Sequence, residues 1–557
     1  RGVVRQPARV ASHRLPRPAP LRAPVMSDAT TIPDPIAAGL ARGWKVIDAS
    51  RAERDLVLEA DVAIVGTGAG GGTAAELLTA SGLSVVLLEE GPLRSSRDFN
   101  LREATTYPDL YQESAARKTR DHAITILQGR CVGGGTTVNW TSSFRTPPAT
   151  LAFWQREYGL ADVSEDSMAP WFERMEQRLS IAPWPVAPNA NNAALGRGAA
   201  RLGIVAQTIP RNVKGCWNLG YCGLGCPTNA KQSMLVTTIP AALDRHATLV
   251  TRVRADRFVL AGDEVKAIEG RAMDASGSVP SQRKVSVRAR AFVSAAGAIG
   301  TPALLLRSAL PDPHALAGKR TFLHPVVLSA AAMPEIIDGF AGAPQSLFSD
   351  HFQDTQPLDG PVGFKLEVPP QQPLLTAVTL TSDGVRHARW MHDYRRLQVV
   401  IALLRDGFHP DSPGGQVHLR DDGTPVLDYP LTSYLFDGVR RAFVAMAEIQ
   451  FAAGALQVSP GHGSPVPFTT LAQAKSGIAA LDLRPLVTRV VSAHVMGGAP
   501  FGPDPRRSVV DVHGRHHHLR NLFVCDGSIF PTSIGANPQL SIYGFAARIA
   551  SGLAIAL

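Results

Sequence analysis

Residues 61–91 read DVAIVGTGAGGGTAAELLTASGLSVVLLEEG. Asp61–Val65 predicts a short buried strand. Gly66-Thr-Gly68-Ala-Gly70-Gly71 predicts a tight turn of the form G-x-G-x-x-G. Residues 72–81 are small and helix-compatible, and Ser84–Leu88 predicts a second strand that ends at Glu89 and Glu90. Strand, turn, helix, strand and acid in that order describe a dinucleotide-binding βαβ unit and point to an α/β fold. Gly66 allows the turn, Gly68 lets backbone approach a pyrophosphate, and Gly71 lets helix and strand pack closely. The helix N-terminus offers free N–H groups and a positive dipole end to phosphates. Glu89, 23 residues after Gly66, is preferred over Glu90 as the acceptor of ribose hydroxyls. The unit by itself does not distinguish NAD from FAD.

A chain of 557 residues exceeds what one hydrophobic core usually holds, so at least two domains are expected. The net charge of +9 is a poor guide to partners. Residues 1–25 carry six arginines, five prolines and no acid, and taking those six from the +9 leaves +3 for the rest. A nearly neutral body argues against a nucleic-acid partner. Residues 1–25 read as translated sequence upstream of a true start at Met26, in preference to an Arg-rich transit segment; they are expected to be disordered and outside the fold. No apolar signal region follows them, and no uncharged run reaches the roughly 20 residues of a spanning helix, so no transmembrane segment is expected. Five cysteines do not suggest a secreted disulfide scaffold, and a cytoplasmic location is the expectation.

Four further segments carry the chemistry. They are GRCVGGGTTVNW (129–140), GAIGTPALLLRSA (297–309), SAHVMGGA (492–499) and NLFVCDGSIFPTSIGANPQLSIYGFAARIA (521–550). In order and spacing they resemble the glucose–methanol–choline (GMC) oxidoreductase family, closest in motif to its bacterial FAD-dependent alcohol oxidases and dehydrogenases. Ala309 departs from the family's second signature, which usually has Gly there. The resemblance runs from about residue 60 to the C-terminus and implies FAD as the cofactor. It implies that Gly133, Gly134 and Thr136 bring backbone and a hydroxyl against the flavin and pyrophosphate. Asn139 belongs to the same signature, Val253 matches a position whose backbone meets the adenine, and Asp526 lies near the ribityl chain. Asn537 and Pro538 open a helix whose positive end points at the flavin pyrimidine. His494 and Asn537 match the active-site pair. The implied chemistry is alcohol oxidation, in which His494 takes the hydroxyl proton while the carbinol hydride passes to flavin N5. Asn537 holds the substrate oxygen, and its competing reading is a helix N-cap. His513 and His516–His518 read as a solvated polar turn.

Cys216, Cys222 and Cys226 follow C-x5-C-x3-C. Similar loops in some family sugar dehydrogenases hold an iron–sulfur cluster; the alternative is a Gly-rich turn with buried thiols. Cys131 and Cys525 read as small packed residues. The expected architecture is a discontinuous Rossmann-like FAD-binding domain (55–150, 213–320 and 488–557) and an α+β substrate domain (151–212 and 321–487). The substrate domain is expected to hold an antiparallel sheet, with strands in PLLTAVTLTSD and RRLQVVIALLRD. Residues 95–128, with Tyr107 and Tyr111, read as a lid or a surface excursion.

The leading reading is FAD-dependent oxidation of a primary alcohol, medium- or long-chain or aromatic, with oxygen or an electron-acceptor protein downstream. The alternatives are a sugar or polyol dehydrogenase using the cysteine cluster, a flavin-dependent lyase or decarboxylase, and a catalytically silent flavoprotein. His494 and Asn537 together argue against the last two.

Overall fold

The strand expected at 61–65 runs from Leu56 to Val65 in the computed structural model, which describes residues 32–355, 357–380, 383–463 and 467–557. Residues 1–31, which include the arginine-rich leader, lie outside the described residues. The contacts group Asp34–Leu557 as one unit.

Among the described residues, an eight-stranded sheet has Leu56–Val65 at its centre. Val85–Glu89, Thr248–Thr251 and Lys45–Asp48 follow it in parallel on one side. Pro280–Ser294 pairs parallel on the other side, with Leu522–Val524 parallel to its end. Glu264–Met273 and Val253–Ala261 complete the sheet as an antiparallel ribbon. Val85–Glu89 and the strand ends Val62–Val65 and Ala291–Ser294 are buried on both faces, hence their unbroken apolar runs. The helices Ala69–Ala80 and Gln539–Ala556 pack against each other.

A second eight-stranded sheet runs Ile124–Ile126, Val490–Ser492, Val326–Ala332, Leu397–Leu404, Phe364–Glu367, Leu347–Ser349 and Gln207–Thr208, with Gln457–Pro460 also on Val326–Ala332. It is antiparallel except for the pair Ile124–Ile126 and Val490–Ser492. Its side chains alternate faces. Val327, Val400, Ala402 and Leu404 join the core under the long helix Ser433–Ala452. Val326, Leu328, Val399, Ile401 and Leu403 face the other way. Burial on both faces explains why LQVVIALL has no polar alternation.

The expected strand in PLLTAVTLTSD is instead a helix, Pro373–Thr379. Pro373 sits in its first turn, where a missing N–H costs nothing and its fixed φ suits a helix start. The end of that run, Thr381 and Ser382, lies outside the described residues.

A small sheet stitches the two halves of the site together. Lys319–Phe322 pairs antiparallel with Met496–Gly497, with Phe322 opposite Met496. Continued two residues beyond that pair, the same register sets His324 opposite His494. Gly497 has φ +76°, and a Cβ there would meet the Arg320 carbonyl oxygen at 2.0 Å. Met-Gly-Gly after His494 is therefore what this crossing requires.

Candidate active site

Eleven of the sequence-predicted site residues line one cavity of about 890 Å³ between the ends of the parallel strands and the antiparallel sheet: Gly66, Gly68, Glu89, Gly134, Thr136, Asn139, Val253, His494, Asp526, Asn537 and Pro538. Gly71 and Gly133 stand outside its wall and serve the turns behind it. A Cβ on Gly71 would meet the Gly66 carbonyl at 1.9 Å, and one on Gly133 would meet Thr137 Oγ1 at 2.3 Å. The cavity has the size of a site for a large cofactor and a substrate together.

The glycine turn is shaped by two demands. Gly66 has φ +95°, and a Cβ there would meet the Ala295 carbonyl oxygen at 2.2 Å. Gly68 differs: its backbone is extended, and a Cβ would meet only Gly134 Cα at 3.9 Å. The protein itself does not require glycine at 68. The space left by the missing side chain belongs to the cavity, which is the shape expected where backbone must meet a pyrophosphate. The G-x-G-x-x-G reading passed over Gly70, whose Cβ would lie 1.6 Å from the Cys525 carbonyl oxygen. It also passed over Thr67, which ties the site together. The Thr67 hydroxyl donates to Glu89 Oε2 at 2.6 Å and accepts from the Gly133 N–H at 3.0 Å. Glu89 accepts further from the Thr67 and Gly91 N–H groups, and burial pushes its carboxyl above the usual range.

Asp526 accepts from the Gly297 N–H at 2.8 Å, the Thr301 hydroxyl at 2.6 Å and the Ser528 N–H at 2.8 Å, anchoring the start of the helix Gly297–Arg307. Burial raises its pKa as well. The Asn139 amide donates to Gln539 Oε1 at 2.7 Å, and Gln539 in turn donates to the Ser142 carbonyl. Buried Lys231 donates to the Thr137, Asn139 and Cys222 carbonyls, and so holds the 129–140 loop against the cysteine loop. Tyr107, Tyr111 and residues 112–118 form part of the cavity wall, and the Tyr111 hydroxyl donates to the Gly223 carbonyl at 2.7 Å.

His494 and His324 meet Nδ1 to Nδ1 at 3.1 Å. One ring must donate and the other accept. When His494 carries the Nδ1 proton, its Nε2 is left with a lone pair. Burial, reinforced by the positive charge of Lys365, lowers the His494 pKa to about 3. His324 is lowered well below the usual value by burial, then by His494 and Lys365. Both rings are therefore neutral at physiological pH. His324 has φ +47°, a costly backbone for a non-glycine residue; Asp406 holds it there by accepting the Leu323 and His324 N–H groups at 3.1 Å.

Asn537 does not cap the helix that follows it. Its Nδ2 donates to Glu367 Oε2 at 3.2 Å, its Oδ1 is buried with no hydrogen-bond partner, and the N-cap position falls to Pro538. Glu367 also accepts from Gln345 Nε2 at 2.8 Å and faces Lys365 Nζ at 3.8 Å. The Lys365 ammonium sits over the rings of Phe144 and Phe348. Burial pushes the lysine down and the glutamate up, and each charge draws the other back. Lys365 and Glu367 share the sheet face of Leu403 and Ile401, their register partners. His324, Lys365 and Glu367 were missed from sequence. The available signal was FKLE, two opposite charges at strand spacing inside an otherwise apolar strand.

Among the described residues no three His, Cys, Asp or Glu side chains are placed to hold a metal ion. Cys216 Sγ accepts from the Asn218 N–H, Cys222 Sγ from Arg211, and Cys226 Sγ from the Lys231 N–H. Cys131 and Cys525 are buried thiols, as expected. His516 departs from the solvated turn expected for its segment: it is buried, and burial first lowers its pKa to about 4.

The two halves of the family model described as GMC oxidoreductase match residues 107–326 and 410–546. A GMC-type oxidoreductase of Mycobacterium tuberculosis is 30% identical over 502 residues, 90% of this chain and 76% of its own. A long-chain-alcohol oxidase of Arabidopsis thaliana is 28% identical over 525 residues, 89% of this chain and 67% of its own. Among solved structures, a formate oxidase superimposes with a TM-score of 0.66 at 15% identity, covering 89% of this chain and 98% of that one. Pyridoxine 4-oxidase superimposes with a TM-score of 0.63 at 18% identity, covering 88% and 98%.

Proposed function

The chain belongs to the GMC oxidoreductase family, and as such is an FAD-dependent oxidoreductase; from that premise we propose that it oxidises an apolar primary alcohol to the aldehyde, with His494 as the base. The observation that carries this reading is the pair His494 and Asn537 on one cavity wall, each with a polar atom aimed away from its protein partner.

Bound FAD supplies the acceptor for the carbinol hydride. The residues that fit it are Gly66, Gly68 and the helix beginning at Ala69 for the pyrophosphate, Glu89 for the adenosine ribose, and Val253 for the adenine. Gly134, Thr136, Asn139, Asp526 and Pro538 fit the remainder. The open space at Gly68 is the observation that supports this fit. Neutral His494 takes the hydroxyl proton at Nε2, and the imidazolium so formed donates through Nδ1 to His324. The Glu367 carboxylate accepts one N–H of the Asn537 amide and so orients it, which leaves the second N–H to donate to the substrate oxygen as His494 takes the proton. Val326, Leu328, Val399, Ile401 and Leu403 line the cavity beyond this centre. That wall favours a medium- or long-chain alcohol over a sugar, in keeping with relatives named long-chain-alcohol oxidases.

Oxygen as the electron acceptor is part of the same reading, supported by relatives named oxidases. A cytoplasmic setting is part of it too, supported by five free cysteines. So is the division into an FAD part and a substrate part, supported by the two sheets. The test is anaerobic addition of primary alcohols to the FAD-loaded protein, followed by flavin absorbance, beside His494→Ala. Bleaching in wild type and not in the variant, with rapid recolouring in air, is the expected result. Equal bleaching in both would remove His494 from the reaction.

A further inference from the structure

Arg489 stands on the cavity wall immediately before the strand Val490–Ser492. Its surroundings there are apolar: Val491 shares its face, and Val326 pairs with Val491 in register. The side chain is half-buried, Nε is buried without a hydrogen-bond partner, and among the described residues no carboxylate pairs with it. Burial pushes its pKa down, and no neighbouring charge opposes that shift. Three other arginines on the same wall are answered. Arg117 has Glu113, Arg254 has Asp256, and Arg307 donates to the Ala255 and Asp256 carbonyls. An unanswered guanidinium in an apolar wall is costly, and a chain that keeps one there has a use for an anion from outside.

The anion is not the cofactor's pyrophosphate. That group belongs at Gly66–Gly68, on the parallel sheet, whereas the Arg489 backbone is tied into the antiparallel sheet through the Gly461 carbonyl. Arg489 precedes His494 by five residues, so at about 3.3 Å per residue their Cα atoms are no more than roughly 16 Å apart. Val491 and Ala493 line the cavity between them. Exposed Lys118 bridges to Thr125, the register partner of Val491, and adds a second cation to this end of the wall.

We propose that Arg489 receives a carboxylate at the far end of the substrate's apolar chain, so that ω-hydroxy acids are oxidised in preference to neutral alcohols of the same length. This rests on the alcohol-oxidation reading above. The planar guanidinium matches a carboxylate with two parallel hydrogen bonds, and the apolar wall between Arg489 and His494 fits the methylene chain.

The experiment compares FAD-loaded wild type, Arg489→Met and Arg489→Lys with 12-hydroxydodecanoate and 1-dodecanol, reading kcat/KM from anaerobic flavin reduction. Binding of dodecanoate is measured by calorimetry beside it. Arg489→Met is expected to lose about 30-fold on the hydroxy acid and to leave 1-dodecanol unchanged, with Arg489→Lys between the two. Dodecanoate should bind wild type and weaken in Arg489→Met by a similar factor. Equal loss on both substrates, or dodecanoate binding that ignores the substitution, overturns the anion site while leaving alcohol oxidation standing. Arg489-dependent dodecanoate binding in a protein that reduces its flavin with neither compound keeps the anion site and overturns the oxidation reading.

Discussion

Gly68→Ala separates cofactor binding from folding more cleanly than any other single change at this site. The backbone there is extended, at φ −68° and ψ −160°, a conformation alanine adopts freely. The added methyl would meet only Gly134 Cα, at 3.9 Å, an ordinary contact. The folded apoprotein should therefore lose nothing, and should gain about 0.4–1 kcal/mol from the stiffer unfolded chain. The methyl does enter the cavity where the pyrophosphate has to approach backbone. Overpacking of that kind costs about 1–3 kcal/mol, or roughly 5- to 150-fold in FAD affinity. The assay is FAD titration of the apoprotein together with thermal unfolding of the apo form. Gly70→Ala is the contrast: its methyl would lie 1.6 Å from the Cys525 carbonyl oxygen, so it should lower the apo melting temperature directly. Gly68→Ala protein that binds FAD as tightly as wild type would refute the placement of the pyrophosphate at this turn.

His494→Ala should retain FAD and lower the rate of flavin reduction by about 10²- to 10⁴-fold, read by stopped-flow absorbance. With the His494 pKa at about 3 in the fold and about 6.5 unfolded, the unfolded chain binds the extra proton between these values. That contribution to stability is therefore lost as pH falls below 6.5, by roughly 2 kcal/mol at pH 5, and His494→Ala should flatten the acid limb of apoprotein stability in urea. Lys365→Met leaves Glu367 buried without its cation and should cost about 3–5 kcal/mol, whereas Lys365→Met with Glu367→Leu should recover most of that stability and still lose turnover, because Asn537 has lost its anchor. Thr67→Val strands the buried Gly133 N–H and should cost about 1–3 kcal/mol, together with weaker FAD binding. Iron analysis should find no stoichiometric metal, and a chelator should leave turnover unchanged; a chelator-sensitive enzyme would return Cys216, Cys222 and Cys226 to the site.

The βαβ unit was legible because every part of it is local. Strand, turn, helix and acid fall within 31 residues, and each has a composition that the neighbouring backbone dictates. The same holds for His494 with its Gly-Gly pair and for the Asn-Pro start of the last helix, where short runs carry their own geometric demands. The helix at Pro373–Thr379 differs from the expected strand because seven mixed residues show no period long enough to outweigh a strand-like alternation, and Pro373 at the helix start was the one local signal for it. Thr67 was hidden inside a motif whose glycines drew the attention, although a hydroxyl between two glycines is a side chain with a task.

What the sequence by itself determined was the family of fold and the segments that line the cavity, with His494 and Asn537 among them. Tertiary structure alone decided the state of the His494 ring. His324, 170 residues away, reaches His494 through the register of a short antiparallel pair. Lys365 and Glu367 reach the site from a third strand, and between them set the charge that His494 sees and the way the Asn537 amide faces. Electrostatics in a buried site depend on distance and dielectric, which no run of residues encodes locally, and so the charge environment of His494 appears only once strands far apart in sequence have come together.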